Sequence, residues 1–480
     1  MDFILYVYII KKVFIKHTEM IKMTDIDFNT PKHVYFCGIG GISMSGIAQM
    51  LLNKGFKVEG SDNRPSELTD ELEALGAIVH IGQTSSNVTE GIEVFVYTAA
   101  IKEDNPEFAK AKELNIPMMT RAELLGLIMK TYPVSIAVSG THGKTTTTSM
   151  ISEMLMKADT DPTLSIGGVL PSIGGNVRIG NGDMFVTEAC EYTNSFLSFY
   201  PTHEIILNIE EDHLDFFKDI NDIRSSFTRF ASLVPSDGAV IINSAIDNYK
   251  EIVSGCKGKV ITFGLDDSAD FYATNISYND KGCPTYTLNH KGQTWQVSLS
   301  VIGLHNVNNS LAAFAQGLEL GIETDIILKA LKEYTGSDRR FQIKGDLSGV
   351  TVVDDYAHHP TEIAATLSAV DNYPHEHLYV VFQPHTYTRT KAFMDDFAKA
   401  LCKAENVILA DIYAARETDT LGISSRDLME KINSLGGNAK YFSTFQEIEI
   451  FLLKNCTPGD LLITMGAGDV VKIGENLLGQ

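Results

Sequence analysis

With 480 residues, the chain is too long for one ordinary hydrophobic core and suits about three domains. Hydrophobic residues make up 44% and charged residues 21%, enough for a normal core in each domain. The formal net charge of −22 argues against a nucleic-acid partner or insertion at an anionic membrane, because either would need a broad basic face. Any anionic ligand must then be met by local groups, against the overall charge.

Residues 3–10 are apolar, but Lys11 and Lys12 end the run well short of the ~20 residues that a membrane span requires. No small-residue cleavage site follows. Residues 1–30 are set apart as an N-terminal extension, and 1–22 read as a stretch upstream of a start near Met20 or Met23. The six cysteines, Cys37, Cys190, Cys256, Cys283, Cys402 and Cys456, include no Cys-x-x-Cys pair. They suit reduced thiols in a cytoplasmic protein.

The expected fold is α/β throughout, in three domains at 31–130, 131–336 and 337–480. In the first, a strand at 33–37 runs into the glycine turn Gly38-Ile39-Gly40-Gly41, then a helical pattern carrying Ser45, then a strand at 57–59 followed by Asp62. Strand, glycine turn, helix, strand and an acid about 20 residues on form a Rossmann-like nucleotide site. A lone Gly-x-Gly would be only a tight turn.

The second domain opens on the β-branched run 134–138 and the loop Ser139-Gly140-Thr141-His142-Gly143-Lys144-Thr145-Thr146. Glycines let the backbone approach phosphate oxygens, the helix N-terminus stabilises the anion, Lys144 adds mobile charge and the Thr145 hydroxyl suits Mg2+. Only two residues separate Gly140 from Gly143, where the usual P-loop has four. Further strands, at 184–187 and 204–208, deliver Glu188 and then Glu210-Glu211-Asp212-His213, an acidic and histidine cluster suited to magnesium and general-base work. Mostly parallel pairing is expected. Gly303-Leu304-His305-Asn306-Val307-Asn308-Asn309 opens another helix, as an adenine-binding turn or a plain cap.

The third domain again alternates strands and helices in a Rossmann-like order. Strands at 350–353, 378–382, 407–410 and 461–464 each run into a polar cluster, where open α/β sheets place ligands. Among these clusters are Asp354-Asp355-Tyr356-Ala357-His358-His359-Pro360 and Gln383-Pro384-His385-Thr386-Tyr387-Thr388-Arg389. Arg339 and Arg340, ahead of the first of these strands, suit a clamp on a transferring phosphoryl group.

Taken in order, these motifs resemble the Mur ligases over about residues 33–469. The resemblance implies ATP-dependent ligation of L-alanine to the carboxylate of UDP-N-acetylmuramate, with ATP and Mg2+, in peptidoglycan precursor synthesis by a monomer or homodimer. It implies that Gly38, Gly40, Gly41, Ser45 and Asp62 hold the UDP-sugar. ATP falls to Gly140, Thr141, His142, Gly143, Lys144, Thr145, Thr146, Asn306, Asn309, Arg340 and Asp355. Thr145, Glu188 and His213 are implied as metal ligands, and Lys144, His213 and Arg340 as the catalytic set. Tyr356, His358, His385 and Arg389 are implied to line the pocket where carboxylate meets amine.

Four positions depart from the family pattern. Ser43 stands where a third glycine is common, Cys190 and Tyr192 interrupt an acidic motif, and Thr386 replaces an arginine. Thr228 lies near where sister ligases carry a carbamylated lysine, so no such modification is expected. The nearest alternative is a murein-peptide ligase, which joins a tripeptide to the same sugar. An NAD-linked oxidoreductase leaves the loop at Gly140 without a purpose, and a regulatory P-loop ATPase would need no acceptor.

Overall fold

A computed structural model describes residues 27–480 apart from 29, 31, 99, 416 and 420. The stretch 1–22 lies outside the described residues. Two compact units divide between Thr131 and Tyr132.

The first unit is built on β1 (His33–Cys37), β2 (Lys57–Asp62), β3 (Ile78–Ile81), β4 (Val94–Tyr97) and β5 (Met118–Thr120), in the order β3-β2-β1-β4-β5 and parallel throughout. This is the expected Rossmann-like arrangement. Central β1 is buried on both faces, through Val34, Tyr35, Phe36 and Cys37, which is why it reads as an unbroken apolar run. Where β1 meets β2, Gly60 is required by space. A Cβ there would stand 2.5 Å from the Phe36 carbonyl oxygen.

The second unit carries two sheets. The larger contains β6 (Val134–Ser139), β7 (Thr163–Leu170), β8 (Gly175–Arg178), β9 (Met184–Ala189), β10 (His203–Ile206), β11 (Ala239–Asn243), β12 (Lys259–Gly264), β13 (Phe271–Tyr278), β14 (Pro284–His290) and β15 (Gln293–Ser298). Their order is β15-β14-β13-β12-β11-β10-β6-β9-β7-β8, parallel from β13 to β7 with antiparallel strands at both ends. The other sheet holds β16 (Gln342–Leu347), β17 (Val350–Asp355), β18 (Leu378–Phe382), β19 (Asn406–Leu409), β20 (Ala439–Tyr441) and β21 (Leu461–Met465), in the order β16-β17-β21-β18-β19-β20. Only the β16–β17 pair is antiparallel.

The helix Lys144–Lys157 packs on the larger sheet through Met150, Ile151, Met154 and Leu155, all fully buried. Each such side chain contributes about 2 kcal/mol of apolar burial, which anchors the helix whose first turn follows the phosphate loop. It meets the helix Leu304–Glu319 closely, since a Cβ on Gly317 would stand 2.4 Å from the Met154 sulfur. Among the described residues no helix is long and apolar enough to cross a membrane. All six cysteines are free.

One core residue breaks the pattern. Glu204, central in β10 between Ala137 and Val240, is fully buried and neither carboxylate oxygen has a hydrogen-bond partner. The nearby Ser139 hydroxyl donates to the Ile205 carbonyl instead. Burial therefore pushes the Glu204 carboxyl well above its ordinary range and keeps it neutral. A neutral acid in the fold holds a proton that the unfolded chain releases above about pH 4.3, so its stabilising contribution is lost as pH rises toward the folded-state value. Glu204→Gln should gain stability over the parent as pH rises above about 5, at up to about 1.4 kcal/mol per pH unit. Denaturant melts over rising pH check it; a constant difference would mean that Glu204 is not held neutral.

Candidate active site

In the first unit, Gly38 adopts φ +88° at the end of β1 and turns the chain into the helix Ile42–Asn53, whose first turn has no acidic residue and no side-chain cap. Asp62 does more than close the Rossmann pattern. One of its oxygens accepts the Gly40 N–H at 2.9 Å and the other the Asn63 N–H at 2.7 Å, so it braces the glycine turn. Ser45 is buried and donates to the Ile42 carbonyl, which makes it part of the helix's own first turn. Ser43, in place of a glycine, accepts a 2.8 Å hydrogen bond from Arg121.

In the second unit the phosphate loop bends through Gly140 at φ +134° and Gly143 at φ +84°. A Cβ at Gly143 would lie 2.6 Å from Asn309 Oδ1, so the loop passes where only glycine fits. The helix Lys144–Lys157 begins with no side-chain cap and no acid in its first turn, leaving its positive end for an anion. Asn208, after β10, grips the loop. Its Oδ1 accepts the His142 N–H at 2.8 Å, its Nδ2 donates to the His142 carbonyl at 3.0 Å, and its own carbonyl accepts the Thr141 N–H at 3.2 Å.

Lys144 is folded back into the loop, donating to the carbonyls of Gly140 and Thr141 and lying 3.4 Å from Glu191. Burial pushes its amine down, but Glu191 foremost raises it above its ordinary value, so it stays cationic. The Thr145 hydroxyl donates to Glu188 at 3.1 Å, and the second Glu188 oxygen accepts the Gly167 N–H at 2.6 Å. Hydroxyl and carboxylate oxygens side by side are the hard donors that Mg2+ takes, so these two residues fit that ion. Arg340 reaches the same hydroxyl at 3.5 Å from the other sheet's side.

His213 sits at φ +54°, beside Asp212 and against the Tyr192 ring at 4.6 Å between centroids. Burial lowers its pKa against the pull of Asp212 and Glu191, so the ring is free to accept a metal or a proton near neutral pH. Asp212 also pairs with Arg389 at 2.9 Å. Burial would raise the Asp212 carboxyl, yet His213 and Arg389 hold it well below the usual range.

His142, Gly143, Thr145, Thr146, Asn306, Asn309, Arg340 and Asp355 all line one cavity of about 1520 Å3, large enough for a nucleoside triphosphate. Asn309 donates to Asn306, which donates to the Ile302 carbonyl, so each asparagine is oriented by the next. Burial pushes the Asp355 carboxyl up to about 6, while the Ala357 N–H and Arg340 oppose the shift. Both guanidiniums of Arg339 and Arg340 lie over Tyr356, at 4.9 and 5.1 Å. His358 and His385 approach at 5.9 Å, and Arg389 stands 3.3 Å from the His385 ring nitrogen. Thr386, in place of the arginine, has φ +66° and starts the helix Tyr387–Ala392.

Of the second-unit residues singled out in the sequence, those eight line the cavity, whereas Lys144, Glu188, His213, Tyr356, His358, His385 and Arg389 are not among its lining residues. Sequence reading places Asn208 and Glu191 within motifs without giving either a contact of its own, and it passed over Glu362, whose His142 partner lies on another element. A signal was available for the last: His359-Pro360-Thr361-Glu362 has the spacing of a capping box.

The glycine-cradled loop, the carboxylates at neighbouring strand ends and the second Rossmann-like sheet define an ATP-dependent ligase, and the comparisons agree. The Mur ligase family catalytic domain matches residues 33–133, the Mur ligase middle domain 138–317, and the Mur ligase glutamate ligase domain 339–468. The chain belongs to the Mur ligase family.

Its relatives include the UDP-N-acetylmuramate–L-alanine ligases of Agathobacter rectalis, 59% identical over 95% of this chain and all of that protein, and of Lachnospira eligens, 58% identical over the same shares. Among solved structures, UDP-N-acetylmuramate-alanine ligase from Thermotoga maritima superposes with a TM-score of 0.79 at 28% identity, covering 93% of this chain and 98% of that one. A murein peptide ligase from Psychrobacter arcticus gives 0.70 at 25% identity, with the same coverage.

Gly143→Ala should strain the loop by about 1–2 kcal/mol and push Asn309 aside, lowering ATP affinity roughly tenfold or more. Calorimetric titration with ATP tests this; parental affinity would show that the glycine cradle is dispensable.

Proposed function

We infer that this protein joins L-alanine to the carboxylate of UDP-N-acetylmuramate, using ATP and releasing ADP and phosphate, in the synthesis of peptidoglycan precursors. One observation carries the reading: alanine-adding ligases match it at up to 59% identity along 95% of its length. The site chemistry supports it. A carboxylate is a poor target for an amine, so ATP first converts it to an acyl phosphate with a good leaving group.

In this reading the glycine turn at Gly38, Gly40 and Gly41 holds the UDP-sugar, with Asp62 bracing it. Gly140 to Thr146 hold the triphosphate, and Asn306, Asn309 and Asp355 hold the rest of the nucleotide. Lys144 leaves its loop carbonyls for the β- and γ-phosphates. Arg340, already beside Thr145, stabilises charge on the transferring phosphoryl group. Thr145 and Glu188 would hold Mg2+, with His213 at a second position. The ion supplies charge neutralisation on the phosphate oxygens. Tyr356, His358, His385 and Arg389 orient the muramate carboxylate and the amine. His213 is the candidate to take the amine's proton, being unprotonated near neutral pH. Closure of the site excludes water that would hydrolyse the acyl phosphate. The protein acts in the cytoplasm, where these substrates are made.

Phosphate release with UDP-N-acetylmuramate and each amine tests the acceptor. Turnover is expected with L-alanine; turnover only with the murein tripeptide would replace this reading by the peptide ligase. Lys144→Ala should abolish ligation, by about a thousandfold or more for loss of a phosphate-binding cation, while UDP-sugar binding persists. His213→Ala should raise the magnesium concentration needed for half-maximal rate. A shift in the pH profile alone would assign it the base role instead.

A further inference from the structure

Glu362 lies in the first turn of the helix Pro360–Val370, with its side chain 14% exposed. Its Oε2 accepts the backbone N–H groups of His358 and His359, at 3.1 and 3.3 Å, which caps the helix. Capping does not account for the rest of its surroundings. Oε1 lies 3.2 Å from His142 Nδ1 in the phosphate loop, and Oε2 lies 3.3 Å from His358 Nδ1 in the substrate pocket. One carboxylate thus bridges a histidine of each sheet's loop system.

The two histidines are placed differently. His142 Nε2 stands 3.5 Å from Glu210 without a hydrogen bond, and the His142 ring lies 4.7 Å from that of His359. His358 Nδ1 is also 3.0 Å from the Tyr356 carbonyl. A carbonyl only accepts, so Nδ1 carries the proton and Nε2 is left as the ring's acceptor.

The charges facing this group follow the geometry. Burial pushes the His142 ring down, but Glu362 and Glu210 more than reverse that and hold it up at about 9. Burial takes His358 down to about 4 despite Glu362, with Arg389 adding to the fall and Asp212 opposing it. His359 is lowered by burial and by the His142 charge. Burial would raise Glu362 itself, yet His358, His142 and Arg340 keep it well below the carboxylate range. At neutral pH a carboxylate therefore faces an imidazolium on one side and a neutral imidazole on the other.

We propose that Glu362 is a positioning residue for the ligation, fixing the His142 ring across the phosphate loop and holding the Nδ1 edge of His358, so that phosphate site and acceptor pocket assemble together. The proposal rests on the ligase reading above. Glu362→Gln keeps an acceptor oxygen for the helix cap and removes the charge. It should lower kcat roughly 10- to 100-fold through misplacement of the reacting groups. It should also move the basic limb of the pH profile.

The direction of that shift is fixed by the raised value of His142: its proton, and the contact it makes, are present below about 9 and lost as pH rises through it. Without the Glu362 charge that loss should begin about one pH unit or more lower. Glu362→Asp should restore the basic limb while recovering only part of kcat. An unchanged basic limb in a folded Glu362→Gln protein overturns the proposal.

Nitrogen-15 NMR of the parent protein provides a test that needs no variant. His142 should be doubly protonated at about pH 8 and His358 should be the neutral Nδ1–H tautomer; a neutral His142 overturns the proposal. Absence of alanine-dependent turnover in the parent would sink the ligase reading instead, while the ring protonation states could still be read.

Discussion

The phosphate loop depends on a grip from outside itself. Beyond the Lys144 contacts within the loop, Asn208 holds it from a neighbouring strand by taking both the N–H and the carbonyl of His142. Because Asn208 follows β10, which pairs with β6 immediately before the loop, the grip is fixed to the middle of a ten-stranded sheet. A shift of that pairing would pull the clamp away from the cradle. Loop, helix N-terminus and the Glu188 carboxylate, on the β9 strand that pairs with β6, thus share one base.

Charge is settled by the same local economy. In a chain with net charge −22, cations at an anion site cannot be left to general attraction, and three of them are held by particular carboxylates. Lys144 rests near Glu191, Arg389 on Asp212, and His142 between Glu362 and Glu210. These holds differ in strength. The Lys144–Glu191 contact is 3.4 Å and its other partners are neutral carbonyls, whereas Arg389 meets Asp212 through two nitrogens. A triphosphate offers Lys144 closer and more highly charged oxygens than it leaves, so that residue can change partners on binding. Arg389 gains less by moving and is better suited to holding the loop that bears Asp212.

Much of this was legible in the sequence because it is local. The runs at 134–138 and 378–382 are apolar and β-branched, both strands are buried on two faces, and each delivers a polar loop at its end. Gly140, Gly143, Lys144 and Thr145 could be read from one stretch, and Glu188 from the end of the next strand. The strands β13, β14 and β15 were not read, because their buried and half-exposed positions alternate with polar residues and pair antiparallel at a sheet edge. Glu362 was hidden for a different reason. Its partners are 220 positions upstream, at His142, and four positions upstream, at His358, and only the packing of two sheets' loops brings both to one carboxylate.

The segment Glu210-Glu211-Asp212-His213 ties these features together. Its side chains and backbone take Thr361 at 2.6 Å, the His359 ring at 3.1 Å and Arg389 at 2.9 Å, from the starts of two helices that follow strands of the C-terminal sheet. The positive φ of His213 ends the segment, and the Phe216 and Phe217 N–H groups both donate to its carbonyl, so the turn is held despite its backbone cost. Any opening between the two sheets must break these contacts together, since the acceptors are consecutive residues. The acceptors that would hold the sheets closed are therefore on the same short turn as the histidine assigned to metal or proton. On the proposed role of His213, closure and chemistry would be coupled there by covalent adjacency, with no need for a longer path through the fold.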